Sequence, residues 1–414
     1  PVTQWLTAGT TAHRDEYGSR SWSRTVFDAH RANRTALALV TDGYGGRGGI
    51  AKFNRDLLDS LAAADTLQAV EGVMRHVVEK PADVPAKVAW RTGASRGKLA
   101  FVATAWRAAL ARDLDYVVCG HINVLPLALA IAGWHQGRLL LVVHGIDAWA
   151  PPAGFQRRGL VNLLRRMLAR VDDVIAVSQV TANRLMAWSA LDAARFHILP
   201  NCVDPSLFSP DLDTRVLAAR YDVAGCRVLL TVGRLAGAER YKGFDEVLEV
   251  LPGLRQEYPD LRYIIGGDGE DRARLEAKAR ELGVADIVRF AGYVPEADKA
   301  ALYTLADAYV MPSRGEGFGI VFLEALASGV PAIGSRLDGS REALLGGRLG
   351  ALVDPDNPAE ITAAIRAALA TPKGVPAALS TYYKEAFTGR VHGILAAIST
   401  DLPRRPRPAP PAGP

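Results

Sequence analysis

Two glutamates, Glu316 and Glu324, stand eight residues apart in the stretch YVMPSRGEGFGIVFLEALASGVPAIGS, residues 309–335. Gly315, Gly317 and Gly319 surround the first of them and leave room for something to approach the backbone closely. Pro312 stops the strand that precedes them. From Ile320, the residues Val321, Phe322, Leu323, Ala325, Leu326 and Ala327 spell a helix buried on most sides, which Gly329 ends before a second strand, VPAIGS. A glycine loop that opens a helix presents free N–H groups at the positive end of the helix dipole, and this suits a phosphate. With helical spacing throughout, the two carboxylates lie about 12 Å apart along the axis and less than about a quarter-turn apart around it. One can then sit beside the reacting end of a ligand while the other meets its far end. Two structural acids would fit the same pattern, because a glutamate near a helix N-terminus is common for dipole reasons alone. Against that, Glu324 lies in apolar company and needs a partner.

Other residues could join such a site. Arg234 follows the buried run CRVLLTVG, and Lys242 lies just before the helix GFDEVLEVLPGL. Two cations at a strand end and a helix start beside a phosphate loop make a coherent anion site, although a solvated basic loop has the same composition. His121 and His144 each follow a buried strand, where open α/β sheets bind ligands. A lone histidine is usually structural, and His121 is read that way. Gly43, Gly45 and Gly48 form a G-x-G-x-x-G between strand and helix, with Glu71 after the next strand-like run; this is a dinucleotide fingerprint, weak by itself. GASRG, Gly93–Gly97, has the spacing of a hydrolase elbow, but the VAW before it looks too short for the strand an elbow requires. D-x-D pairs occur at Asp113 and Asp115, at Asp211 and Asp213, and at Asp354 and Asp356. The first precedes its strand, the second lies in a linker and the third encloses Pro355, so all three read as solvated turns and no metal is expected.

The elements that must position these residues alternate between strand and helix along the chain, which predicts α/β architecture with parallel sheets. A length of 414 residues is too great for one ordinary domain and suits two of about two hundred each. Residues 1–35 read as a polar lead-in, 36–203 as a first α/β domain, 204–378 as a second, 379–400 as a final helix and 401–414 as a disordered Pro-rich tail. The three cysteines, Cys119, Cys202 and Cys226, are widely spaced without CxxC, which fits a reducing compartment and argues against a zinc site. A net charge of +5 allows an anionic ligand or membrane contact, and the lack of an arginine-rich run argues against nucleic acid. The polar opening residues do not read as a signal peptide, and the longest apolar run, residues 123–134, is broken by Pro126 and Gly133 and is too short to span a membrane.

EGFGIVFLEA, with its E-x7-E spacing, resembles the signature of the retaining glycosyltransferases of family 4, and the likeness extends from about Ala36 to Ile398. The resemblance implies a GT-B fold, two Rossmann-like domains facing across a cleft, with the first on the acceptor side and the second holding a nucleotide-diphosphate sugar. It implies that Gly48 and Gly49 face the donor's phosphates and sugar, and that Arg234 and Lys242 bind the diphosphate. Tyr293 and Val294 would hold the base, and Gly317, Phe318, Gly319 and Ile320 would offer N–H groups to the leaving phosphate. Glu316 would meet the sugar, Glu324 the ribose, and His144 would line the catalytic centre. The last helix would cross back to the first domain. The sequence departs from the family pattern at Cys202, where glycine is usual, and at Asp338, in place of the first of two paired glycines.

The expected activity is transfer of a sugar from a UDP- or GDP-sugar to a hydroxyl of a glycan or lipid-linked acceptor, with no metal or other cofactor, in the cytoplasm. A GT-B epimerase and a silent nucleotide-sugar-binding protein are the alternatives. PPAGFQRRGLVNLLRRMLAR adds a question about the membrane. Leu160, Leu164, Met167 and Leu168 share a helical face, while Arg157, Arg158, Arg165, Arg166 and Arg170 have no acidic neighbour in that segment. An ordinary core helix with solvated arginines is the favoured reading, and peripheral contact with anionic lipid is the sharper one.

Overall fold

A computed structural model describes residues 34–79, 83–151 and 158–399, with the side chains of Ile146, Asp147 and Arg158 left aside. The expected lead-in up to residue 33, the Pro-rich tail from residue 400 and Arg157 lie outside the described residues.

The first half of the chain runs β1 (Arg34–Val40), α1 (Gly49–Ala63), β2 (Leu67–Met74), β3 (Val88–Arg91), α2 (Lys98–Leu110), β4 (Tyr116–Cys119), α3 (Leu125–His135), β5 (Arg138–Val143), α4 (Ile146–Trp149), α5 (Arg158–Leu168), β6 (Asp173–Ala176), α6 (Gln179–Ser189) and β7 (Phe196–Ile198). The second half continues with α7 (Arg215–Arg220), β8 (Arg227–Val232), α8 (Phe244–Glu257), β9 (Leu261–Gly266), α9 (Arg272–Glu281), β10 (Val288–Gly292), α10 (Glu296–Leu305), β11 (Ala308–Met311), α11 (Ile320–Ala327), β12 (Ala332–Ser335), α12 (Ser340–Ala343), β13 (Ala351–Val353), α13 (Pro358–Leu369) and α14 (Lys384–Ser399).

These strands form two sheets, ordered β3-β2-β1-β4-β5-β6-β7 and β10-β9-β8-β11-β12-β13. Pairing between neighbouring strands is parallel, as in Leu37 opposite Val117 in the first sheet and Leu230 opposite Tyr309 in the second. Helices cover both faces, so the strands are apolar on both sides; all of β1 from Thr35 to Val40 is buried. In each sheet the order reverses beside the strand that comes first, β1 or β8. The crevice at such a reversal, at the carboxyl ends of the strands, is where open α/β sheets bind ligands. The loops after β1, β8 and β11, which carry most of the candidate residues, all leave the sheets there.

One apolar cluster packs α2, α3, α5 and α6 on the first sheet through residues such as Phe101, Ile131, Leu164 and Leu185. Another packs α8, α9 and α13 on the second sheet through Leu248, Leu275 and Ile361. A third runs between the halves, from Leu57 and Leu61 on α1 through Val391 and Leu395 on α14 to Phe318 and Phe322. The helix α14 packs on α1, where Thr388 and Ser60 hydroxyls lie 2.9 Å apart and His392 Nε2 meets the Ser60 carbonyl at 3.0 Å.

The strand before GASRG, expected to be too short, is present as β3 at the sheet edge. Four residues suffice there because parallel pairing with β2 supplies the hydrogen bonds that a short segment lacks alone. Ser95 nevertheless sits exposed in a one-turn helix, its hydroxyl donating to the Thr92 carbonyl, and no histidine partner is recorded for it among the described residues. The dinucleotide reading meets a different obstacle. Glu71 lies within β2, is 1% exposed, and is held by Arg91 at 2.9 Å and Arg112 at 3.1 Å. It is part of an ion-pair network inside the domain and is not presented to a ribose beyond the strand end.

Candidate active site

The centre of the site is the loop from Pro312 to Gly319. Its path is set from within by Asp338, a fully buried carboxylate that accepts from the Ser313 hydroxyl at 2.7 Å, the Glu316 backbone N–H at 2.8 Å and the Ser340 N–H at 3.0 Å. Burial pushes the Asp338 pKa up, against the opposing pull of these donors. A carboxylate that gathers several donors from a loop fixes the loop's shape. Asp338 is thus the anchor of the glycine loop. In the sequence it stands out only as a departure from paired glycines; the signal that could have marked it is a charged residue followed by glycine and serine just after a buried strand.

Two glycines are required by close approach. A Cβ on Gly317 would lie 2.0 Å from the His144 carbonyl oxygen and 2.9 Å from Gly145 Cα, so the loop of the second half touches the β5–α4 turn of the first, backbone to backbone. The Gly317 carbonyl accepts from the Ser178 hydroxyl at 2.6 Å and the Thr181 hydroxyl at 3.3 Å. Gly319 takes a left-handed φ of 93° and opens α11. Phe318 turns inward, 1% exposed and stacked edge-on against Tyr382 at 5.4 Å, so a ligand would meet its backbone and not its ring. Ile320 faces Gly49 across the crevice: a Cβ on Gly49 would lie 3.6 Å from its Cγ2. The starts of α1 and α11 therefore converge, and Gly48, with φ 86°, has open space where a side chain would be.

Lys242 and Glu316 are brought together at 3.5 Å, and Glu239, not foreseen from the sequence, lies 3.6 Å from the same ammonium. Burial lowers the Lys242 pKa, but its neighbours, Glu316 first, with Tyr241 and Glu239, outweigh it and hold it above its usual value. Arg234 is 80% exposed at the loop and pairs with Glu239. One glutamate thus tethers both cations. With Glu316 on the other side of Lys242, two cations face two carboxylates and the group is balanced in charge.

His144 stands at the end of β5 with its ring edge-on to Phe53 at 5.1 Å. Its Nε2 lies 3.2 Å from the Gly120 carbonyl, which can only accept, so Nε2 carries the proton. Burial pushes its pKa down to about 4, against the Gly120 carbonyl. A neutral imidazole results at pH 7. His121 instead caps a short turn, its Nδ1 accepting from the Asn123 N–H at 3.1 Å.

Tyr293, half exposed after β10, is covered by the Arg47 guanidinium 4.6 Å from its ring, and Arg47 Nε donates to Glu79 at 2.9 Å. Val294 packs beneath, 3.3 Å from where a Cβ on Gly266 would be. Glu324 is 2% exposed on α11, and the partners that its burial demands are Lys299 and Tyr303, both on α10. Glu342 reaches across from α12: its carboxylate accepts from the backbone N–H groups of Gln179 at 2.7 Å and Val180 at 2.9 Å, at the start of α6. None of Asp338, Glu239, Lys299, Tyr303 and Glu342 was a sequence candidate; Glu239 is a near neighbour of Lys242 in the same loop, while the others are joined to the site by contacts between separate elements.

Of the D-x-D pairs, Asp115 accepts from the Thr35 N–H, Asp213 pairs with Arg215, and Asp354 and Asp356 follow β13, where Asp356 pairs with Arg314. No cluster of three or more metal-ligating side chains occurs among the described residues.

This is the fold of the two-Rossmann GT-B proteins. It superposes on Anabaena Alr3699/HepE in complex with UDP-glucose with a TM-score of 0.67 at 21% identity, over 88% of this chain and 99% of that one. It also superposes on sucrose-phosphate synthase from Thermosynechococcus elongatus with a TM-score of 0.64 at 22% identity, over 89% of this chain and 96% of that one. The chain belongs to glycosyltransferase family 4: residues 47–207 match the Glycosyltransferase Family 4 model and residues 224–386 match the model of Glycosyl transferases group 1. Among curated relatives, the GDP-mannose-dependent alpha-(1-6)-phosphatidylinositol monomannoside mannosyltransferase of Mycolicibacterium smegmatis is 36% identical over 51% of this chain and 56% of its own length. Glycogen synthase of Mycobacterium tuberculosis is 30% identical over 58% of this chain and 52% of its own. The chain thus spans a little over half the length of these relatives.

Proposed function

We infer that this protein is a hexosyltransferase that moves a sugar from a nucleotide-diphosphate sugar to a hydroxyl of a glycan or lipid-linked acceptor, with retention of the anomeric configuration. The observation that carries the reading is the convergence of Lys242, the Gly317–Ile320 backbone and His144 on one crevice between the halves. When a sugar leaves its donor, negative charge grows on the diphosphate. Lys242, Arg234 and the N–H groups at the start of α11 stabilise that charge, and such fixed charges and dipoles, aimed where charge develops, usually supply most of the rate enhancement. Glu316, beside Lys242, meets the sugar hydroxyls. His144 is neutral and close to the contact of the halves, so it does not repel positive charge developing on the sugar. No protein-bound metal is required in this scheme, because the cations take its part.

UDP-, GDP- and ADP-sugars are the probes. The site exists only in the folded protein, so a donor at about 100 times its Kd adds about 2.7 kcal/mol to stability. A rise in Tm with one donor class, together with release of free nucleoside diphosphate when acceptor is added, supports the enzyme over a silent binder or an epimerase. No Tm rise with any of the three overturns it. An NMR coupling constant of the product that shows inversion would remove the retaining assignment.

A lipid-linked acceptor has support from the outer face of the first half. On α2, Leu99, Val102, Trp106 and Leu110 recur at helical spacing opposite the buried Phe101, Ala105 and Ala108, and Leu99 is 87% exposed. Trp134 of α3, 69% exposed, stacks edge-on against Trp106. Arg96, Lys98 and Arg107 are exposed around them. On α5, Leu164 and Leu168 pack into the core, which accounts for the inner part of its apolar stripe, while Leu160, Leu163 and Arg166 stay exposed. An apolar helix face with Trp and basic neighbours suits the surface of an anionic bilayer. No helix among the described residues is long and apolar enough to cross one. Sedimentation with anionic vesicles at low salt, lost in Leu99→Asp/Trp134→Ser with donor binding intact, is the expected result; an unmodified protein that stays in the supernatant points to an acceptor in solution.

A further inference from the structure

The contact between α10 and α11 holds charge that the reaction scheme leaves unused. Both oxygens of the buried Glu324 already have donors: Lys299 Nζ lies 2.9 Å from Oε1, and the Tyr303 hydroxyl donates to Oε2 at 2.9 Å. Glu296, Lys299 and Tyr303 stand at i, i+3 and i+7 on one face of α10, and Lys299 also meets Glu296 at 2.9 Å. The Tyr303 ring is held in turn by Phe208 and Tyr309, with centroids 6.1 and 5.7 Å away. Burial pulls the Lys299 pKa down, but Glu324 and Glu296 outweigh it and keep the ammonium charged. Burial, with Glu324, pushes the Tyr303 pKa well up, so its hydroxyl remains a donor.

An ionised carboxylate has about four acceptor positions. Lys299 and Tyr303 occupy one on each oxygen and leave about two, the number that the two hydroxyls of a vicinal diol require. The donors also remove the freedom of a flexible glutamate: a carboxylate bonded at both oxygens to one rigid helix has one orientation. An ion pair buried in this way contributes little to stability by itself, so its presence calls for another account.

We propose that Lys299 and Tyr303 are positioning residues that fix the Glu324 carboxylate for the ribose hydroxyls of the donor and thereby make the site select ribonucleotides over 2′-deoxyribonucleotides. The proposal rests on the donor-site reading above and concerns two residues that reading does not include.

The test is calorimetric titration of the full chain with UDP, GDP and ADP, and with the 2′-deoxy counterpart of whichever binds best. A hydrogen bond to a charged acceptor changes affinity by about tenfold or more, so the unmodified protein should prefer the ribonucleotide by about that factor. In Lys299→Met and in Tyr303→Phe the preference should fall towards one, with ribonucleotide affinity reduced more than deoxyribonucleotide affinity, which has only the 3′-hydroxyl contact to lose. Lys299→Arg should restore part of it. Equal weakening of both nucleotides, or an unchanged ratio with a lower Tm, makes the pair structural and overturns the proposal, as does an unmodified protein without ribose preference. If Lys299→Met does not fold, Tyr303→Phe, which removes one oxygen and keeps the ring, decides the matter. Binding of none of the three nucleotides by the unmodified protein removes the donor-site reading itself, an outcome distinct from binding without discrimination.

Discussion

His144 shows how much of this site depends on a single residue's surroundings. Its pKa is pushed down to about 4, so it folds as a neutral group, whereas in the unfolded chain it titrates near 6.5. The unfolded chain binds the proton more tightly, and stability therefore falls as pH drops below about 6.5 and goes on falling until about 4. Between pH 7 and 5 this one group should cost about 2 kcal/mol. Urea denaturation at the two pH values should show His144→Gln losing less stability than the unmodified protein; equal losses would show that His144 is not buried as a neutral group. Charge at the leaving phosphate is the other residue-scale matter. Lys242→Ala and Arg234→Ala should each lower kcat by about a hundredfold, with Lys242 the larger because its side chain is much less exposed than that of Arg234. Glu324→Ala should act mainly on donor affinity, since a ribose contact is the same before and during the reaction. Steady-state kinetics separate these, and a common effect on KM alone would undo the division of roles.

At the scale of the element, the glycine loop between β11 and α11 is held less by its own glycines than by a neighbour. Asp338 takes donors from Ser313, Glu316 and Ser340, so its loss leaves several buried polar groups unpaired. At about 1–3 kcal/mol for each group left unsatisfied, Asp338→Gly should destabilise the protein by several kcal/mol, although glycine is the residue that the family pattern suggests there. Thermal denaturation with and without donor checks this. A variant with unchanged Tm and donor response would show that the loop keeps its shape without the carboxylate. Asp338→Asn, which can still accept at one oxygen, should fall between the two.

Across the whole molecule, the two halves meet through backbone as well as side chains. Gly317 lies against the His144 carbonyl, and Ser178 and Thr181 donate to the Gly317 carbonyl. Glu342 holds the start of α6. The glycine loop and the turn that carries His144 are therefore set relative to each other by these contacts. Gly317→Ala puts a methyl group 2.0 Å from the His144 oxygen, which forces the halves or the loop to move. A displacement of about 1 Å near the reacting atoms can cost about a hundredfold in rate, so kcat should fall by about that much while circular dichroism stays unchanged. Retention of full activity would show that the reacting arrangement does not use this contact.

The order of strands and helices was legible because a parallel sheet buried on both faces needs continuous apolar runs, and runs such as ALALV and YVVC have no other use. The glycine loop that opens a buried helix at residues 315–320 was legible for a similar reason: glycines before such a helix leave a free helix terminus that local sequence alone defines. The short strand β3 was not legible, since four residues become a strand only when β2 is already there to pair with them. The partners of buried charge were hidden too. Nothing near Glu324 in the chain announces Lys299 and Tyr303, and nothing near Glu316 announces that Asp338 binds its backbone. A sequence shows that a carboxylate in apolar surroundings must be neutralised or bonded, because the cost of burying it bare is a property of the group. Which distant residue meets that demand depends on how helices and loops pack, and only the tertiary structure decides it.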